Sequence, residues 1–249
     1  MKLHFLILGS ALLCCQSSVW AAEITVSAAA SLSNAFKDIA GQYQKRYPDT
    51  VIRLNTAGSG TLLQQAIRGA PVDVLAFADD ETMDKAQAAG IVDKAARKIF
   101  ARNTLVLVVP VKSRLNIRSI NDLPSPDVRR IALSNPASVP AGRYGKAALE
   151  RSGQWQKVLP KIIQTQHVRQ SLDYVARGEV DAGFVYRTDA ALMPGKVKIA
   201  ATVQTDKTVS YPAAVVKDSR QATEARRFTD YLASVEAQNI LRKYGFGKP

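Results

Sequence analysis

Four turns in the sequence stand where a strand-like run gives way to a helix-like one, and the first three carry small and hydroxylated residues. Ser31 lies in the first, AAASLSN at 28–34, and Ser59 in the second, TAGSGT at 56–61, between Gly58 and Gly60. The third is SVPAGR at 138–143, where Pro140, Ala141 and Gly142 open a helix. The fourth, HVRQ at 167–170, opens the helix carrying Leu172, Val175 and Ala176. Helix N-termini leave backbone N–H groups unpaired and carry partial positive charge, so such turns can hold anions. Glycine beside Ser59 lets the backbone approach a ligand closely, because no Cβ intervenes.

Singly, each feature has a plainer explanation. Ser31 on its own is an ordinary N-cap, and Tyr186, closing the apolar run AGFVY at 182–186, is by default a core aromatic. The GSGT of 58–61 lacks the lysine of a phosphate loop, which rejects that motif. Asp79 and Asp80 follow a strand at a helix start and read as caps. Catalytic chemistry has few candidates. Beyond the leader described below, the chain has one histidine, His167, and no cysteine, so zinc sites and thiol chemistry drop out. A serine hydrolase would have to combine Ser31 or Ser59 with His167, and it stands as the remote alternative.

The elements that would position these turns alternate as in an α/β fold. Strands are expected at 24–28, 51–55, 73–77, 104–110, 131–133, 182–186 and 209–216. Between them, Leu32, Ala35, Phe36, Ile39 and Tyr43 share one helical face. Further helices are expected from Thr61 to the Gly69/Pro71 stop, over 81–89, around 142–151 and around 169–177. A C-terminal helix would pack Phe228, Tyr231, Leu232 and Val235. The run TLVLVVP at 104–110 is apolar throughout and reads as a fully buried strand.

The chain starts with Lys2 and an uncharged apolar run over 5–15, the length of a secretory leader and too short to span a bilayer. Small residues at Ala21 and Ala22 place the cut after one or the other, giving a signal peptide over 1–22 and an exported product. Cys14 and Cys15 both fall inside it; a lipid-anchored Cys15 is the lesser alternative, since Cys14 rather than a small residue precedes it. Net charge is +13, spread as singles and pairs such as Arg129–Arg130 and Arg226–Arg227. That pattern fits steering of anions and solubility, not a nucleic-acid surface.

Taken in order, the motifs resemble the periplasmic molybdate-binding proteins of ABC importers. They are AAASL at 28–32, Ser59 before a TL helix start, GAPVDVLAFAD at 69–79, VPAGRYGKAAL at 139–149, HVRQSL at 167–172, VDAGFVY at 180–186, YPAAVV at 211–216 and KYGF at 243–246. The resemblance implies a two-lobed binding-protein fold, each lobe a mixed sheet flanked by helices, with the ligand in the cleft. Lobe 1 would be 23–103 plus 208–249 and lobe 2 would be 104–207. It implies uncharged donors to the oxyanion: the hydroxyls of Ser31, Ser59 and Tyr186, and the backbone N–H groups of Ala141 and Val168. It also implies a monomeric carrier in the periplasm that needs no cofactor and delivers molybdate or tungstate to a membrane permease. The same fold binding another tetrahedral oxyanion, such as sulfate, is the alternative. Two departures from the pattern stand out: Ser27, and the glycine-rich turn around Ser59, which bears on the number of hydroxyl donors.

Overall fold

The computed structural model describes residues 21–249; the leader expected over 1–22 lies almost wholly outside them. The elements in chain order are β1 (Ala22–Ala29), α1 (Ser33–Arg46), β2 (Thr50–Ala57), α2 (Ser59–Ile67), β3 (Val74–Ala76), α3 (Asp80–Ala88), β4 (Lys98–Asn103) and β5 (Leu105–Pro110). They continue as β6 (Ile131–Ser134), α4 (Pro140–Arg151), α5 (Trp155–Val158), β7 (Ile162–Thr165), α6 (Val168–Ala176), β8 (Ala182–Tyr186), α7 (Arg187–Ala190), β9 (Val197–Thr202), β10 (Val209–Val215), α8 (Ala222–Tyr231) and α9 (Val235–Lys243).

Two five-stranded mixed sheets result, ordered β2-β1-β3-β10-β4 and β7-β6-β8-β5-β9. In the first, β1 runs parallel to β2 and β3, and β10 runs antiparallel to β3 and β4. The second repeats the plan, with β6 parallel to β7 and β8, and β5 antiparallel to β8 and β9. The chain leaves the first sheet between β4 and β5 with only Thr104 intervening, and returns over 203–208.

The expected core faces are present. Leu32, Ala35, Phe36, Ile39 and Tyr43 are buried, and β5 is buried from Leu105 to Val109. Gly69 follows α2 with φ +83°, a left-handed stop that costs glycine nothing. A smaller core of Leu62, Leu63, Ala66, Leu75, Phe77, Met83 and Ala86 joins α2 and α3 to the first sheet.

Two expectations are corrected. The C-terminal helix is two helices: α8 stops at Tyr231, and α9 restarts behind Ser234, whose side chain accepts from the Ala237 N–H. Val235 is therefore the first residue of a new helix and is 75% exposed instead of packed. The strands β4, β7 and β9 were not expected. All three are sheet edges with a third to a half of their residues exposed, so no apolar run marks them.

Candidate functional site

Each of the four turns follows the carboxyl end of a parallel strand: β1, β2, β6 and β7. Tyr186 closes a fifth, β8. In open α/β sheets this is the edge where ligands bind. All five expected residues, Ser31, Ser59, Ala141, Val168 and Tyr186, line one cavity, with Ala29, Ala30, Gly58, Ala78, Val139, Pro140 and His167 among their neighbours. The sequence separates them by up to 155 positions, and the two facing sheets bring them together. The cavity leaves about 10 Å³ in which the centre of a water-sized atom can sit. On that measure the room is about that of a single water, far below the ~300–1,000 Å³ of drug-sized sites.

Ser31 sits on a single 3₁₀ turn, Ala30–Leu32, and is 2% exposed. It caps nothing; its Oγ lies 3.0 Å from the Tyr211 hydroxyl. Ser59 is the first residue of α2, and its Oγ accepts from the Ala78 N–H at 3.1 Å. With that lone pair filled, the Ser59 proton has no partner among the described residues. Ala141 follows Pro140 in the first turn of α4, the position where proline is preorganised for a helix. Val168 opens α6 behind its N-cap His167. The backbone N–H groups of Ala141 and Val168 thus belong to first turns, which no intrahelical acceptor reaches.

Tyr186 is 1% exposed, and its hydroxyl is buried without a hydrogen-bond partner among the described residues. Burial pushes its ionisation well above the ordinary phenol range, so it is a neutral donor. Its backbone N–H donates to Asp189 at 3.1 Å, and Asp189 is paired with Arg169 at 2.5 Å.

Among the described residues no carboxylate lines the cavity. His167 caps α6, its Nδ1 accepting from the Gln170 N–H at 3.2 Å. Burial first, and the Arg169 charge as well, hold its imidazole below its ordinary pKa, against the opposing charge of Asp173. With Nδ1 taken and no hydrogen bond to either serine among the described residues, His167 is not set up as the base of a hydrolase.

Gly60, Arg143 and Arg169 tie the groups on the first sheet to those on the second. The Gly60 N–H donates to the Ser138 carbonyl at 2.8 Å. Arg143 reaches Asp79 at 2.6 Å and the Thr82 hydroxyl at 2.6 Å. Arg169 donates to Asn34 at 2.6 Å and to the Ser31 carbonyl at 3.0 Å. A Cβ on Gly60 would lie 2.6 Å from the Ser138 oxygen, so the glycine-rich turn serves the approach of the two halves. Asp79 is the N-cap expected from the sequence, through Thr82 N–H, but its pairing with Arg143 was not legible there. Tyr211 was also missed as a site neighbour. Its motif was visible, while its contact with Ser31 spans 180 positions.

The model of the family described as bacterial extracellular solute-binding protein matches residues 24–247. The molybdate-binding protein of Escherichia coli is 40% identical over 230 residues, covering 90% of this chain and 88% of that one. A Bacillus subtilis protein, provisionally named an ABC transporter substrate-binding lipoprotein, is 39% identical over 225 residues, covering 90% of this chain and 85% of that one. The solved structure of the Azotobacter vinelandii periplasmic molybdate-binding protein superposes with a TM-score of 0.78 at 24% identity, covering 91% of this chain and 99% of that one, a likeness of fold. The match over residues 24–247 and the 40% identity to a relative covered at 88% of its length show that the chain belongs to the bacterial extracellular solute-binding proteins.

Proposed function

We propose that the protein captures molybdate, and tungstate with it, outside the cytoplasm and delivers the anion to the permease of an ABC importer. The observation that carries this reading is the Tyr186 hydroxyl, buried against the cavity with no partner among the described residues. An orphaned buried donor costs ~1–3 kcal/mol, which an incoming acceptor removes. The Ser31 and Ser59 hydroxyls and the Ala141 and Val168 N–H groups complete a set of five donors around it. A fully deprotonated tetrahedral dianion offers only acceptors and suits such a set. Hydrogen phosphate also needs an acceptor and finds no carboxylate on the cavity wall. The E. coli relative, molybdate-binding by name, supports the choice of anion.

The moving units in this reading are lobe 1, over 23–103 and 208–249, and lobe 2, over 104–207. They close on the anion through the contacts of Gly60, Arg143 and Arg169. The carrier acts as a monomer, without a cofactor and without nucleic acid, after removal of the leader over 1–22.

Thermal unfolding with molybdate, tungstate, sulfate and phosphate added separately tests the reading. A ligand at 100 times its dissociation constant stabilises the native state by ~2.7 kcal/mol. Stabilisation by molybdate and tungstate is expected. Stabilisation by sulfate alone would keep the carrier and replace its cargo.

A further inference from the structure

We infer that Asn103 and Tyr211 form a hydrogen-bond relay that turns the Ser31 hydroxyl into an obligate donor, and so set the discrimination between unprotonated and protonated oxyanions. The inference rests on the oxyanion reading of the cavity. The chain of contacts has a direction that the chemistry of its members fixes. The Thr104 backbone N–H can only donate, and it donates to Asn103 Oδ1 at 2.9 Å. This settles which end of the Asn103 amide is oxygen. Asn103 Nδ2 therefore donates to the Thr188 hydroxyl at 2.8 Å and to the Tyr211 hydroxyl at 3.1 Å.

Tyr211 accepts that bond and keeps its own proton. Its hydroxyl lies 3.0 Å from Ser31 Oγ, the acceptor within reach. Once Tyr211 donates to it, Ser31 cannot point its proton back along the same line. No other hydrogen bond engages Ser31 Oγ among the described residues, and the cavity is the space the residue lines. The Ser31 proton is thereby directed at whatever occupies the cavity. Tyr211 is fully buried, with its ring edge-on to Phe246 at 5.4 Å, so the hydroxyl is held in place. Asn103 and Tyr211 stand on the paired strands β4 and β10, by which the chain leaves and re-enters the first sheet. Both are positioning residues, acting on the ligand through Ser31.

The relay can be reversed with one atom. In Asn103→Asp, Oδ1 still accepts from Thr104, while the atom facing Tyr211 becomes an acceptor. Tyr211 then donates to the introduced carboxylate, accepts from Ser31, and leaves a Ser31 lone pair toward the cavity. A lone pair repels molybdate and welcomes the P–OH of hydrogen phosphate.

The test measures dissociation constants for molybdate and hydrogen phosphate by calorimetry, at mildly alkaline pH where both are dianions. Any repulsion from the added charge then falls on both and cancels in their ratio. The variants are Asn103→Asp, Tyr211→Phe and the double variant. Asn103→Asp is expected to narrow the molybdate preference by about tenfold or more, one hydrogen bond lost and one repulsion gained. Tyr211→Phe, which frees the Ser31 rotor, is expected to narrow it about threefold. In the double variant the preference should return to that of Tyr211→Phe, because no hydroxyl remains to carry the reversal. An unchanged preference in both single variants, or a narrowing by Asn103→Asp that persists without the Tyr211 hydroxyl, overturns the relay. If Asn103→Asp does not fold, an unchanged preference in Tyr211→Phe overturns it alone. A wild-type protein that binds molybdate while these outcomes fail leaves the proposed function standing; one that binds no oxyanion removes both.

Discussion

Asp79 holds two groups at once: it caps α3 through the Thr82 N–H at 3.1 Å, and it receives Arg143 from α4 at 2.6 Å. The first bond is local to one sheet's helix, and the second joins it to the helix packed on the other sheet. The Asp79 side chain is 5% exposed and that of Arg143 is 18% exposed, so the pair is shielded from screening. Breaking a buried pair by removing one partner costs up to ~3–5 kcal/mol, and less where water reaches the charge.

Arg143→Met is accordingly expected to weaken anion binding by about tenfold or more, because in the proposed function the pair spans the closing cleft. Calorimetry with molybdate reads the loss. The helix cap remains, so the melting temperature without ligand should move less than that of Asp79→Ala, which loses the cap as well.

Gly60→Ala tests closure from another side. A methyl 2.6 Å from the Ser138 carbonyl and 2.9 Å from its Cα meets backbone that cannot move aside cheaply. The variant should fold and melt near the wild type without ligand, yet lose most of the ligand-induced stabilisation. Small-angle scattering with saturating molybdate should show it remaining more extended than the wild type.

Tyr186→Phe removes the orphaned hydroxyl while keeping the ring that packs 6.0 Å from Tyr211. Without ligand the variant should be as stable as the wild type or more so, since an unsatisfied buried group has gone. With molybdate it should bind roughly 10- to 150-fold more weakly, the worth of one hydrogen bond to a charged acceptor. Equal affinity in the two proteins would remove Tyr186 from the site.

The His167 imidazole gives a pH dependence with a defined sign. Burial holds its folded-state pKa below the ordinary value, so between the two values the unfolded chain binds more protons than the native one. Stability from this group therefore rises with pH, is complete above the ordinary imidazole value of about 6.5, and falls as the medium is acidified below it. His167→Asn keeps a side chain able to cap α6 and should flatten this part of the melting-temperature profile.

Much of this protein could be read along the chain. The apolar periodicities of α1, β5 and β8 named their buried faces, since a core-facing helix or strand repeats its apolar residues at fixed spacing. The strand-end turns, with Ser31, Ser59, Ala141 and Val168, were visible because a strand-like run giving way to a helix-like one marks a helix start, whose first N–H groups have no intrahelical acceptor. What was illegible was long-range or edge-bound. The strands β4, β7 and β9 lack an apolar run because one side of each has no neighbour, and the break before α9 depends on a single capping serine. Only the tertiary structure decided that Arg143 meets Asp79 across 64 positions, that Gly60 lies against Ser138, and that Tyr211 stands over Ser31. Periodicity reports which face of an element is buried, whereas hydrogen-bond partners depend on how two separately built sheets are set against each other.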